Sequence, residues 1–217
     1  LIYFLHYQPE MNTLPEAGLY CDQYQAIKKL RDAMPKEACL LVKEHPATFS
    51  KVSDRRWRPK DFYRRITALP NTYICHEKED TFALIDSAEF VSSIAGVCLT
   101  EALARGTPIV TFHSARFSLF DRDLYIDANI ISQVDLKKVL SKLFHGRVSV
   151  NQKSLRKSFL RLMEQGYNGG TEKSFIPDSN TEMALNTRRA NLGAIQDFLA
   201  EKTSHVEKYT KLKYEKE

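Results

Sequence analysis

The chain has little of what builds disulfide frameworks, flexible linkers or membrane spans. Only 4 of its 217 residues are cysteine. Cys21, Cys39, Cys75 and Cys98 stand far apart, without a CxxC pair and without a histidine at ligand spacing. That pattern argues against a zinc site or a disulfide scaffold and reads as free thiols, so no metal site is expected. Glycine and proline number 8 each, and no low-complexity block or internal repeat is present, which sets aside linkers and solenoids. No run approaches the roughly 18 apolar residues of a helical membrane span, and no basic-then-apolar leader signature opens the chain. Neither sign of charge dominates: Lys+Arg 32 against Asp+Glu 27 leaves +5. Much of that excess is local, in residues 51–65 (KVSDRRWRPKDFYRR) and in the tail 208–217. With no nucleic-acid-binding motif beside these runs, nucleic acid is not an expected partner. The first residue is Leu1, already inside an apolar run, so the chain is expected to be a piece of a longer protein.

What is present is an ordinary globular composition, 43% hydrophobic and 27% charged, on a chain long enough to bury a substantial core. Short apolar runs alternate with helical periodicity. Strands are expected to begin at Leu1, Ala38, Thr72, Glu89 and Thr107. Between them, Tyr20, Tyr24, Ile27 and Leu30 recur at helical spacing, with Asp22 as a candidate N-cap. Phe62, Ile66 and Leu69 mark a helix opened by Pro59. Asp80 reads as the N-cap of residues 81–88, with Phe82 and Ile85 facing inward. Further on, residues 135–144 and 152–164 read as amphipathic helices on the sheet edge, followed by a loop over 165–180, a long helix over 181–202 and a frayed tail. Such alternation predicts an α/β fold, a Rossmann-like doubly wound parallel sheet with additional C-terminal helices. It is expected as a single domain over 1–217, with 1–117 carrying the core sheet and 118–217 completing it.

Residues 89–117, EFVSSIAGVCLTEALARGTPIVTFHSARF, read as strand, serine turn, helix, glycine stop and strand. Hydroxyls and free backbone N–H groups at such a strand-to-helix turn suit an anion. Three other strands end in polar residues: Gln8-Pro9-Glu10, Lys43-Glu44-His45-Pro46 and His113-Ser114. In a parallel sheet all four ends line one edge. Pro46 disfavours helix at His45 and keeps its imidazole at the strand tip. Gln8 and Glu10 could reach a ligand or simply cap a turn. Arg55, Arg56 and Arg58 could attract an anion, and Trp57 could stack on a sugar ring.

HYQPE with KEHP, the paired serines and EALARGTPIV, all within residues 1–117, resembles the capsular polysaccharide biosynthesis proteins that include the Kdo transferases. More broadly it looks like the C-terminal, donor-binding half of a GT-B glycosyltransferase. The resemblance implies that His45 and Ser92-Ser93 contact the nucleotide phosphate and that Glu101 accepts hydrogen bonds from the ribose. Around them, Gln8, Glu10, Lys43 and Pro46 complete the expected substrate-binding set, with Glu10 the candidate catalytic residue.

The implied activity is transfer from a CMP-activated acidic sugar such as CMP-Kdo to a glycan or glycolipid acceptor, in bacterial capsule or surface polysaccharide synthesis. No cofactor is expected beyond the nucleotide-sugar substrate. The acceptor-binding N-terminal half would lie outside this chain, leaving the fragment able to bind donor but inactive alone. The implied location is cytoplasmic, peripheral to the inner face of the plasma membrane. Two alternatives stay open: a CDP-polyol phosphotransferase, which shares the His-Pro and paired-serine features, and a non-catalytic nucleotide-binding or scaffold domain.

Overall fold

The computed structural model describes residues 1–11, 13–49, 58–76, 78–145 and 149–167. Its elements build the compact unit Leu1–Leu162. Within it, β1 (Ile2–Phe4), β2 (Leu40–Lys43), β3 (Thr72–Ile74), β4 (Val91–Ser93), β5 (Ile109–Thr111) and β6 (Tyr125–Asp127) alternate with α1 (Gln23–Ala33), α2 (Phe62–Thr67), α3 (Thr81–Ser87), α4 (Val97–Ala104), α5 (Gln133–His145) and α6 (Gln152–Tyr167). The strands form one six-stranded sheet in the order β3-β2-β1-β4-β5-β6. Every pairing is parallel. This is an α/β fold with a Rossmann-like doubly wound sheet. Among the described residues, no helix is long and apolar enough to cross a membrane.

Strands so short hold because both faces are buried. Alternate residues of each strand point to opposite faces, and the core divides accordingly. Tyr3, Leu40, Val42 and Val110 face α1, α2 and α5 through Ile27, Leu30, Ile66, Leu136 and Leu140. Ile2, Phe4, Val91, Ile109 and Tyr125 face α3, α4 and α6 through Ile85, Leu99, Leu103 and Leu155. The two C-terminal helices expected at the sheet edge therefore cover opposite faces of it.

Local signals act where the sequence placed them. Asp22 caps α1 by accepting from the Tyr24 N–H, and Asp80 caps α3 by accepting from Ala83. Gly106, at φ +83°, stops α4: its N–H donates to Leu103 O at 3.0 Å and that of Thr107 to Ala102 O at 2.9 Å. This paired closure needs a left-handed residue.

Three expectations are corrected. A strand not foreseen, β6, extends the sheet; Tyr125-Ile126-Asp127 is too short and too polar in its surroundings to announce itself. Phe82 faces outward, with Arg105 over its ring at 5.0 Å, while Ile85 alone is fully buried. Residues 165–167, expected in a loop, belong to α6. The rest of the loop expected over 165–180, the helix over 181–202 and the tail lie outside the described residues, as do Arg55, Arg56 and Trp57.

Candidate functional site

The strand order reverses between β1 and β4. From β1 the chain winds outward through β2 to β3, then crosses back to β4 and winds the other way. Because the two crossovers leave on opposite faces, a crevice opens above the C-terminal ends of these strands, and doubly wound sheets bind ligands there. In this chain the space is a cleft of about 360 Å³. The β1 end supplies His6 and Glu10, the β2 end Lys43, Glu44, His45 and Pro46, and the β4–α4 turn Ser93 and Ala95 to Cys98. Thr81, Glu101 and Arg116 complete its polar lining.

Below the cleft lies a buried ion pair. Glu44 and Arg58 have side chains 2% and 7% exposed. The Arg58 guanidinium donates to both Glu44 oxygens, from Nε to Oε2 at 3.1 Å and from Nη2 to Oε1 at 2.9 Å. It also donates from Nη1 to Gln8 Oε1 at 2.6 Å and from Nη2 to His6 O at 2.6 Å. Glu44 accepts further from Tyr63 Oη, the His45 N–H and Thr48 Oγ1. This carboxylate and desolvation together push the Tyr63 phenol well above its usual range. The network ties the β1 end to the β2 end. Arg58 is thus a structural cation held by a carboxylate, not the exposed anion attractor that its basic surroundings suggested.

A second network crosses the switch point. Buried Gln23 pins the backbone of His6, accepting from its N–H at 2.8 Å and donating to its carbonyl at 3.1 Å. The His6 ring then reaches across: Nε2 accepts from the Ala95 N–H at 3.1 Å, and Nδ1 meets the Glu10 carboxylate. An Nε2 that accepts must be unprotonated in neutral imidazole, so the proton sits on Nδ1 and is donated to Glu10. Gly96 leaves room at this turn for the Cys98 and Ser93 side chains. A Cβ there would lie 3.0 Å from Cys98 Sγ, 3.3 Å from Ser93 Oγ and 3.6 Å from His6 Cε1.

Among the described residues no side chain caps α4; the Leu99 N–H turns back to Gly96 O at 3.0 Å, which leaves the amides before it to a ligand or to water. Val97 and Glu101, four residues apart and so on one helix face, both line the cleft. Burial pushes the Cys98 thiol up to about 12, so it is neutral and unreactive near pH 7. Across the cleft, His45 is exposed and its Nδ1 accepts from the Ala47 N–H at 3.1 Å. That leaves Nε2 to face outward chemistry.

Six of the expected residues thus come together: Glu10, Lys43, His45, Pro46, Ser93 and Glu101. Two do not. Gln8 is turned to Arg58 and to Cys21 O, to which its amide donates at 2.8 Å. Ser92 points to the opposite sheet face from Ser93, is wholly buried, and donates to Val110 O at 2.8 Å. Even Ser93 spends its proton on Phe4 O, at 2.8 Å. The paired serines are therefore sheet and turn structure first; at most Ser93 offers lone pairs. His113 faces Glu16 at 3.5 Å. Sequence reasoning missed His6, Thr81 and Arg116 as cleft residues, although each lies just past a strand end or at a helix start. Among the described residues, no group of three or more His, Cys, Asp and Glu could hold a metal ion.

No protein-family model matches the chain, and no curated protein sequence matches it.

Proposed function

We propose that this chain is the donor-binding half of a GT-B glycosyltransferase that uses a CMP-activated acidic sugar in bacterial surface polysaccharide synthesis. One observation carries the reading. His45 and Glu101, which resemble the family's phosphate and ribose contacts and stand far apart in sequence, line a single cleft at the switch point of a doubly wound sheet. In this reading the nucleotide phosphate lies against His45 Nε2 and the first-turn amides of α4. These donors are preorganised where negative charge grows as the nucleotide leaves, and they need no metal. Glu101 accepts from the ribose hydroxyls. Glu10, already engaged by His6, holds the β1 end in place, so its carboxylate orients and does not act as a free base. The acid–base chemistry of transfer then belongs to groups outside this cleft.

Thermal shift of the chain with CMP, CDP, UMP, UDP and GDP tests the proposal. A ligand at 100 times its Kd adds about 2.7 kcal/mol to stability. Cytidine nucleotides are expected to give the largest shift, reduced by His45→Ala and by Glu101→Ala with the unliganded melting point unchanged. No shift with any nucleotide would overturn the reading and favour a scaffold.

A further inference from the structure

The cationic side chains that line the cleft include Lys43 and Arg116, and they bracket the switch point. Lys43 ends β2 and is buried at 3% exposure. Arg116 lies in the 3₁₀ turn Ser114–Phe117, just past β5, and is exposed. In the order β3-β2-β1-β4-β5-β6 these two strands are three spacings apart, about 14 Å between backbones. Different strands thus carry the two cations to one cleft, and two anionic groups spaced along a ligand could meet one each.

Arg58, Arg65, Arg105, Arg122 and Arg161 each face an Asp or Glu. Arg31, Arg64, Arg116 and Arg156 have no ion pair among the described residues, and of these four Arg116 lines the cleft. A guanidinium fork matches the two oxygens of a carboxylate or phosphoryl group better than any neutral sugar substituent. We propose that Arg116 is a specificity-determining residue that reads a second anionic centre of the donor, beyond the nucleotide phosphate: a sugar carboxylate or a second phosphoryl group. This rests on the nucleotide-binding reading above and adds to it the residue that reads the donor's second charge.

Titration calorimetry of the full chain with CMP, CDP and CMP-N-acetylneuraminate tests it. The wild type is expected to bind at least one of the ligands with two anionic centres, CDP or the sugar nucleotide, more tightly than CMP, whose phosphate is a single centre. Preference for CDP assigns the second group as phosphoryl, and preference for the sugar nucleotide assigns it as carboxylate. Arg116→Ala is expected to weaken that ligand about tenfold or more and to leave CMP within about twofold, with Arg116→Lys recovering part of the loss. An unchanged melting point of the unliganded variant separates this from a folding defect. Equal loss for CMP and the ligands with two anionic centres, or no preference by the wild type, overturns the inference while the nucleotide reading stands. Absence of binding by all three refutes both.

Discussion

Removing the Arg58 side chain is the sharpest test of how the cleft is held. Arg58→Ala leaves the Glu44 carboxylate at 2% exposure without its counter-charge, and it deletes four hydrogen bonds, two to Glu44, one to Gln8 and one to His6 O. The His6 carbonyl keeps Gln23 Nε2 as a donor, so the penalty concentrates on the carboxylate. Breaking a buried pair by removing one partner costs about 3–5 kcal/mol. For a domain of this size each kcal/mol lowers the melting point by about 2–4 °C, so a drop of roughly 6–20 °C is expected. Urea denaturation followed by circular dichroism gives the free energy directly. The companion variant Arg58→Met/Glu44→Gln removes the stranded charge, keeps an amide oxygen for the His45 N–H and Thr48 Oγ1, and turns its amide N–H to the Tyr63 hydroxyl oxygen as acceptor. It is expected to recover more than half of the loss. Refutation is simple: Arg58→Ala within about 1 kcal/mol of wild type, or no recovery in the double variant, would mean that Glu44 is not held by this pair.

Three further outcomes follow from other features. Tyr3 is wholly buried and its hydroxyl has no hydrogen-bond partner among the described residues, so Tyr3→Phe should be neutral or should stabilise by up to about 1–2 kcal/mol; a clear loss in a urea melt would reveal a hidden partner. Gly106→Ala forces a Cβ into the left-handed cap of α4 and should cost about 1–2 kcal/mol, read from the same melts. The Cys98 thiol is raised to about 12 by burial, from an unfolded value near 9. Its neutral form therefore contributes stability in full below pH 9, and that contribution fades as pH rises through 12. At pH 8, mass spectrometry after iodoacetamide should find exposed Cys39 labelled before half-buried Cys98; equal rates would contradict the raised Cys98 thiol.

Much of the architecture was legible because parallel strands buried on both faces must be continuous apolar runs, as at Ile2–Phe4 and at residues 40–42 of β2. Caps and stops were legible for the same kind of reason: Asp80 and Gly106 do chemistry that few other residues do. The failures share a cause, which is that sequence records residue type but not direction. Ser92 and Ser93 are the same residue on opposite faces. Phe82 and Ile85 are both apolar, but α3, Thr81–Ser87, is too short for periodicity to fix which of them turns inward. Arg58 sits in a run of charges that reads as solvated surface, and only the meeting with Glu44 in three dimensions shows it to be a buried tie. Convergence of strand ends on one edge of the sheet was legible, because parallel connectivity alone dictates that.

The hydroxyl of Ser93 marks the rung at which β1 and β4 part company. Their backbone register runs through Ile2↔Val91 and Tyr3↔Ser92, and the next bond is made by a side chain, Ser93 Oγ to Phe4 O. On the other flank of β1 the ladder carries on one step further, with the Leu5 N–H on Lys43 O at 2.9 Å. The sheet is thus unzipped on one side only, and a single hydroxyl is the stitch at the end of the seam. An alanine at position 93 would unpick that stitch and widen the opening, so weakened binding in such a variant would report a torn seam. Threonine, which keeps the hydroxyl, is expected to keep the stitch and with it the width of the opening.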